Sequence, residues 1–257
     1  AAGGDQPLAR PRHPRHVSSA PGTWEVFTLM SWRDRRLFAL CQAGLVEKFV
    51  DALVWVFYPV YLYQRGLSLP QVGSVIGVYG LVWGAAQLFT GRLSDRIGRH
   101  RPNVWGMWLC GAGVALMVLG QGVLWWSASA ALSGLGMALL YPNLSAAVAD
   151  IAHPHWRGTA IGIYRFWRDL GYGIGALGLG AAAAWGGRIE SAFWFVAVAM
   201  LVSGAVLTTE RTLLRAALRK KSRTPLCDSS LAATGGSASK IARHWPSTLL
   251  ASLRYWS

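Results

Sequence analysis

Six runs of apolar residues recur through the middle of the chain, each bounded by short polar stretches. They cover residues 37–63, 71–91, 103–120, 124–149, 159–185 and 191–209. An α-helix rises 1.5 Å per residue, so about 20 apolar residues cross the roughly 30 Å of hydrocarbon in a bilayer. The pattern predicts an all-α membrane protein with six transmembrane helices.

The segments outside these runs differ in composition from the runs. Residues 1–23 carry four prolines among arginines and histidines, and residues 210–257 are basic and rich in serine and threonine. Such segments bury too little apolar surface to fold, so we predict a disordered basic linker and a mostly disordered basic tail in the cytoplasm. Residues 24–36 mix aromatic and charged residues, which is typical of a segment lying at the membrane interface. The six-helix domain is therefore expected over residues 37–209.

Composition and charge support a membrane protein. Of the 257 residues, 53% are apolar and only 14% are charged, whereas about a quarter are charged in soluble domains. A net charge of +14 would otherwise suggest a nucleic-acid partner. The arginines, however, concentrate at the ends and in two short loops, so the positive-inside rule places both termini in the cytoplasm. We predict the lipid bilayer, and no nucleic acid, as a partner.

Acidic and basic residues occur in only two of the six runs. The first run holds Glu47, Lys48 and Asp51, and the fifth holds Arg165, Arg168 and Asp169. Each costs about 2.5–3.5 kcal/mol at membrane depth, so it must face protein or water. Lys48 and Asp51 are three residues apart and can form an ion pair on one helix face. Three interpretations stay open: a proton or substrate relay, neutralised pairs that hold the two helices together, and side chains close enough to the inner interface to reach water.

Pairs of glycines four residues apart lie within the second and fifth runs. They are Gly73 and Gly77, Gly80 and Gly84, and Gly171 and Gly175. This spacing predicts flat helix faces that a neighbouring helix can approach closely. The alternative is that glycine is simply frequent in membrane helices.

A short motif lies between the second and third runs. Residues 91–100 read GRLSDRIGRH, and their arginines cannot enter lipid, so we expect a tight inner loop with glycine at its corners. The motif resembles the signature of the major facilitator superfamily, through Gly91, Leu93, Asp95, Arg96, Gly98 and Arg99. A second segment, with Asp150, Arg157 and Gly158, resembles the acid and the Arg–Gly pair that the family carries between its fourth and fifth helices.

The resemblance implies a fold and an inner gate. Asp95 would meet the inner end of the fifth helix, with Arg96, Asp150 and Arg157 in a charge relay that closes the cytoplasmic side. Family members have twelve helices, so the resemblance implies the C-terminal half of a longer protein whose N-terminal six-helix half is missing here. The chain starts without Met or a signal-peptide pattern, and we expect it to begin partway through that protein.

The resemblance also implies transport. Residues 164–171 are similar to the penultimate helix of bacterial efflux permeases. We therefore expect proton-coupled efflux of a small hydrophobic or cationic solute across a bacterial inner membrane, with the charged residues of the first and fifth runs as coupling or substrate candidates. A sugar or metabolite carrier of the same fold and a non-transporting membrane receptor are the alternatives.

Motifs for enzymatic chemistry are missing from the sequence. No phosphate-binding loop and no nucleophile motif occurs, and Cys41, Cys110 and Cys227 do not have metal-ligand spacing. We predict no catalytic residues, no metal and no cofactor.

Overall fold

Eight α-helices make up almost all of residues 21–223, the part that the computed structural model describes. They are α1 (Thr23–Thr28), α2 (Arg35–Ala52), α3 (Tyr58–Gln64), α4 (Leu69–Ile97), α5 (His100–Leu119), α6 (Val123–Ile151), α7 (Arg157–Gly186) and α8 (Glu190–Arg223). A π-helical turn, Leu53–Phe57, joins α2 to α3, and another, Leu29–Arg33, follows α1. The predictions for residues 1–20 and 224–257 lie outside the described residues.

Within the described residues, four helices are long and apolar enough to cross a membrane. They are Leu69–Ile97, His100–Leu119, Val123–Ile151 and Glu190–Glu210. The other two predicted spans carry the ionisable residues, and the first of them is divided between α2 and α3. The chain thus has an all-helical membrane fold, while six crossings stay a prediction.

The long helices pack as two groups of three. In one group α6 contacts both α4 and α5, and in the other α2, α7 and α8 contact one another. Contact between α5 and α8 joins the groups. On α7, a Cβ at Gly171 would meet the backbone oxygen of Leu45, and one at Gly175 would meet Phe49. The close approach predicted for this glycine pair is therefore confirmed, whereas Cβ atoms at Gly73, Gly77, Gly80 and Gly84 would meet no described atom within 4 Å.

The signature segment is helical for most of its length, contrary to the expected tight loop. Helix α4 continues to Ile97, so Gly91 lies inside a helix and not at a corner. Only Gly98 occupies a turn conformation, with a φ of 83° that favours glycine. The helix extends beyond the apolar run because polar residues here are compatible with helix, and Asp95 pairs with Arg99 one turn later. Likewise α8 continues past the predicted end at residue 209 to Arg223.

Asp34 starts α2 and fixes how the chain enters it. Its carboxylate accepts hydrogen bonds from the backbone N–H groups of Arg36 and Leu37, at 2.9 and 3.4 Å. The Arg36 guanidinium also contacts it at 2.8 Å. Burial alone would raise the pKa of Asp34, but the hydrogen bond and charge of Arg36 outweigh it and lower that pKa. The residue is thus an ionised N-cap.

Candidate functional site

Three ionisable side chains of α2 lie together in the interior of the bundle. Lys48 Nζ lies 2.6 Å from Asp51 Oδ2 and 3.4 Å from Glu47 Oε1. The exposed fraction is 0% for Glu47, 2% for Lys48 and 1% for Asp51. The ion pair predicted between Lys48 and Asp51 is confirmed, and Lys48 also contacts Glu47.

Tyrosines from three other helices complete this buried charge cluster, which we define as Glu47, Lys48, Asp51, Tyr79, Tyr141 and Tyr172. The hydroxyls of Tyr79 on α4 and Tyr172 on α7 each donate to Asp51, both at 3.1 Å. The rings of Tyr141 on α6 and Tyr172 lie 5.1 and 5.3 Å from Lys48 Nζ, within cation–π range. Four helices therefore meet at one cation and two acids.

Glu47 is the least satisfied member of the cluster. Neither of its carboxylate oxygens accepts a hydrogen bond from the described residues, and the buried hydroxyl of Tyr164 likewise has no hydrogen-bond partner there. A buried carboxylate without donors carries a large desolvation cost. Its contact with Lys48 reduces this cost, and the position suits a group that exchanges a proton or meets a cationic ligand.

Glycine at the α2–α7 contact positions the cluster. A Cβ at Gly171 would lie 3.0 Å from Lys48 Cβ and would meet the Leu45 backbone. Because Gly171 lacks that atom, α7 can approach α2 at the level of Lys48. Tyr172, the next residue, then reaches Asp51.

Of the three charged residues that the fifth run places on α7, Arg168 contacts a member of the buried charge cluster. The Arg168 guanidinium lies 5.0 Å from the ring centroid of Tyr141, and its Nε is 3.3 Å from Asp169 Oδ1. Arg165 and Asp169 are exposed on the surface of the described chain. The functional roles of all three stay predictions.

A second group of charges joins the ends of α4 and α6. Arg99 lies 3.1 Å from Asp95 and 2.9 Å from Asp150, and its Nη1 also donates to Ser94 Oγ at 3.2 Å. The exposed side-chain fractions are 23% for Arg99, 65% for Asp95 and 42% for Asp150. We call these three residues the Arg99 network.

Arg99, and not Arg96 or Arg157, connects the predicted gate residues. Arg96 and Arg157 are exposed and form no ion pair with residues 21–210. Of the glycines in the two family motifs, Gly98 forms the turn, and Gly91 and Gly158 lie in α4 and α7. The gate role of the whole set stays a prediction.

Tyr172 was not among the residues that the sequence indicated. It lies four residues after Arg168, and therefore on the same face of α7, and it directly follows the packing glycine Gly171. Those two relations are the signal that could have identified it. Its hydrogen bond to Asp51 depends on the tertiary contact between α2 and α7.

A helical membrane bundle with a buried, tyrosine-lined charge cluster is typical of secondary transporters. The sequence profile of the Major Facilitator Superfamily matches residues 40–253. The chain therefore belongs to the major facilitator superfamily of membrane transporters.

Individual relatives match over part of their length. Multidrug resistance protein MdtH of Yersinia enterocolitica is 35% identical over 116 residues, which are 44% of this chain and 28% of MdtH. MdtH of Yersinia pestis matches with the same identity and coverage. The peptide transporter POT, crystallised in complex with alafosfalin and with sulfate, is similar in structure with a TM-score of 0.63 and 24% identity. That match covers 75% of this chain and 42% of POT, so the matched region is under half of either relative.

Proposed function

We propose that the chain provides one six-helix half of a proton-coupled efflux transporter for small hydrophobic or cationic solutes. The observation that carries the proposal is the buried charge cluster. Two acids share one lysine, with Asp51 at 2.6 Å and Glu47 at 3.4 Å from Lys48 Nζ. Binding a proton or a cationic solute at either acid would change which partner Lys48 prefers.

Glu47 and Asp51 compete for Lys48, and this competition would couple proton binding to transport. With both acids ionised, one cation faces two anions in a site without water contact, since all three side chains are almost fully buried. Protonation of one acid releases Lys48 to the other and changes the contacts between α2, α4 and α7 through Tyr79 and Tyr172. A carrier needs such a link between proton occupancy and helix packing for alternating access.

The similarity to MdtH supports efflux of drug-like solutes, since that relative is named a multidrug resistance protein. Aromatic rings attract cations and favour apolar ligands, so the tyrosines of the cluster support a cationic or apolar solute. The likeness to POT supports the fold alone, and we carry none of its ligands over to this chain.

We further propose that a second six-helix half, preceding this one, completes the transporter. In this arrangement the chain crosses a bacterial inner membrane six times, with both termini in the cytoplasm. The first crossing is formed by α2 together with α3, and the other five by α4, α5, α6, α7 and α8. The open glycine faces of α4 support a partner there, since a Cβ at Gly73 or Gly77 would meet no described atom within 4 Å.

The Arg99 network is our proposed cytoplasmic gate. Arg99 holds the ends of α4 and α6 together through Asp150, and the half-exposed pairs can separate in water at little cost. Arg96 and Arg157 are exposed nearby in sequence and would take over the acids when the gate opens. A variant that lacks Arg99 should then be unable to keep the cytoplasmic side of the transporter closed.

Solute flux in vesicles tests the proposal. The protein, together with its proposed partner half, is reconstituted and the efflux of a fluorescent lipophilic cation is followed with and without a pH gradient. We expect flux to accelerate with the gradient, and the Glu47→Gln variant to lose that acceleration. Glu25→Gln, which removes an exposed acid outside the cluster, is the matched control. Equal flux with and without the gradient would contradict proton coupling.

A further inference from the structure

An apolar groove opens on the surface between α4 and α5, with α6 as its floor. Its volume is about 460 Å³, and it is lined by Ala86, Phe89, Thr90, Leu93, Trp105, Leu135 and Leu139. The hydroxyl of Thr90 is used internally, since it donates to the Ala138 carbonyl oxygen at 2.8 Å. The groove therefore offers apolar surface to its occupant, and Phe89 and Trp105 are exposed along it.

Two arginines lie where this groove runs towards the α4–α5 turn. Arg96 follows Leu93 by three residues on α4, and Arg101 precedes Trp105 by four residues on α5. These spacings place each arginine about one helical turn beyond a groove residue, close to the same helix face. The groove thus passes from apolar side chains to two cations at one end.

Both arginines are available for an anion. Arg96 and Arg101 are exposed and form no ion pair with residues 21–210. The acids at this end, Asp95 and Asp150, both contact Arg99. Arg96, Arg99 and Arg101 together therefore give three positive charges against the two acids Asp95 and Asp150, and an incoming anion meets a net positive charge.

We propose that the groove binds an anionic phospholipid. One acyl chain lies along Phe89, Leu93 and Trp105, and the phosphate headgroup pairs with Arg96 and Arg101. The apolar groove matches the acyl chain of such a lipid, and the two arginines at its end match the negatively charged headgroup. Basic pockets between membrane helices recognise anionic headgroups. A zwitterionic lipid would fill the groove without the net charge that the arginines favour.

Lipid retention on the full chain tests the proposal. The purified chain is incubated with equal amounts of phosphatidylglycerol and phosphatidylcholine of identical acyl chains, and bound lipid is counted by native mass spectrometry. We expect preferential retention of phosphatidylglycerol, with each arginine contributing about fivefold. The Arg96→Gln, Arg101→Gln double variant should retain both lipids equally. Equal retention by the unaltered chain would overturn the proposal.

Two further variants separate the groove from general surface charge. Arg33→Gln removes an exposed arginine away from the groove and should leave the preference unchanged. Ala86→Phe fills the groove without changing charge and should lower retention of both lipids. A loss with Arg33→Gln equal to that of the double variant, or full retention with Ala86→Phe, would overturn the proposal.

A second readout uses tryptophan fluorescence. Phosphatidylglycerol with brominated acyl chains should quench the fluorescence of Trp105 more than brominated phosphatidylcholine does. The Trp105→Phe variant should remove this difference in quenching. Inorganic phosphate should not displace the lipid at equal concentration, because it lacks the acyl chain. Complete displacement by phosphate, or a chain dimer that Ala86→Phe abolishes while lipid retention is unaffected, would contradict a lipid site.

Discussion

The buried charge cluster and the Arg99 network contain the same kinds of groups in opposite surroundings. In each region one cation contacts two acids. Lys48 contacts Glu47 and Asp51, and Arg99 contacts Asp95 and Asp150. The charged side chains of the first are almost fully buried, whereas the acids of the second are largely exposed. Burial makes the loss of one partner costly, while water screens the exposed pairs. We therefore expect removal of one charged partner to cost more stability in the buried charge cluster than in the Arg99 network.

Removal of the shared cation should have the largest effect. Lys48→Met leaves two buried acids without a positive partner, and we expect the free energy of unfolding to fall by about 3–5 kcal/mol. Denaturant titration in detergent micelles measures this. The Glu47→Gln, Lys48→Met, Asp51→Asn triple variant should recover a large part of the loss. A Lys48→Met protein as stable as the unaltered one would mean that the acids do not depend on Lys48.

Loss of a tyrosine hydroxyl should have the next largest effect. Tyr79→Phe removes a hydrogen bond to the Asp51 carboxylate, which is worth about 1.5–3 kcal/mol when the acceptor is charged and buried. The matched control is Tyr63→Phe, which alters an exposed tyrosine outside the cluster. If both substitutions shift the unfolding midpoint equally, the hydrogen bond contributes nothing specific.

The close packing of α7 against α2 should have the third largest effect on stability. Gly171→Ala places a methyl group against the Leu45 backbone and should destabilise the protein by about 1–3 kcal/mol through overpacking. Gly173→Ala faces open space, so it should be neutral or slightly stabilising because alanine favours helix. Thermal unfolding of the two variants side by side measures the difference. Equal stability of the two variants would show that α7 does not seat closely against Lys48.

Disruption of the exposed network should affect stability least. We expect Arg99→Gln to change the free energy of unfolding by no more than about 1 kcal/mol, and the change to shrink as salt is raised. A double-mutant cycle with Asp150→Asn isolates the pair. A coupling energy as large as that of the Lys48 pairs would remove the contrast between the two regions.

Much of the fold follows from the hydropathy of the chain, whereas the partners of the charges do not. The six predicted apolar runs coincide with helical segments, and the three-residue spacing of Lys48 and Asp51 is enough to predict their ion pair. Local sequence also accounts for Gly98, because a turn between antiparallel helices favours a residue that tolerates positive φ. In these cases the determining interactions are close in sequence.

Contacts between distant helices escaped prediction. Asp51 is 28 residues from Tyr79 and 121 from Tyr172, and no periodicity in either helix specifies that both hydroxyls meet one carboxylate. Similarly, several arginines near the α4–α5 turn could have paired with Asp150, and only tertiary geometry selects Arg99. The extension of α4 to Ile97 was missed because the end of the apolar run does not mark the end of the helix.

The most direct test of the central proposal separates solute movement from proton coupling. In vesicles, Asp51→Asn should retain solute exchange at equal concentrations on both sides, yet lose accumulation driven by a pH gradient, because the amide cannot carry the proton. If Asp51→Asn and Glu47→Gln each respond to the gradient as the unaltered protein does, the buried charge cluster does not couple protons to transport.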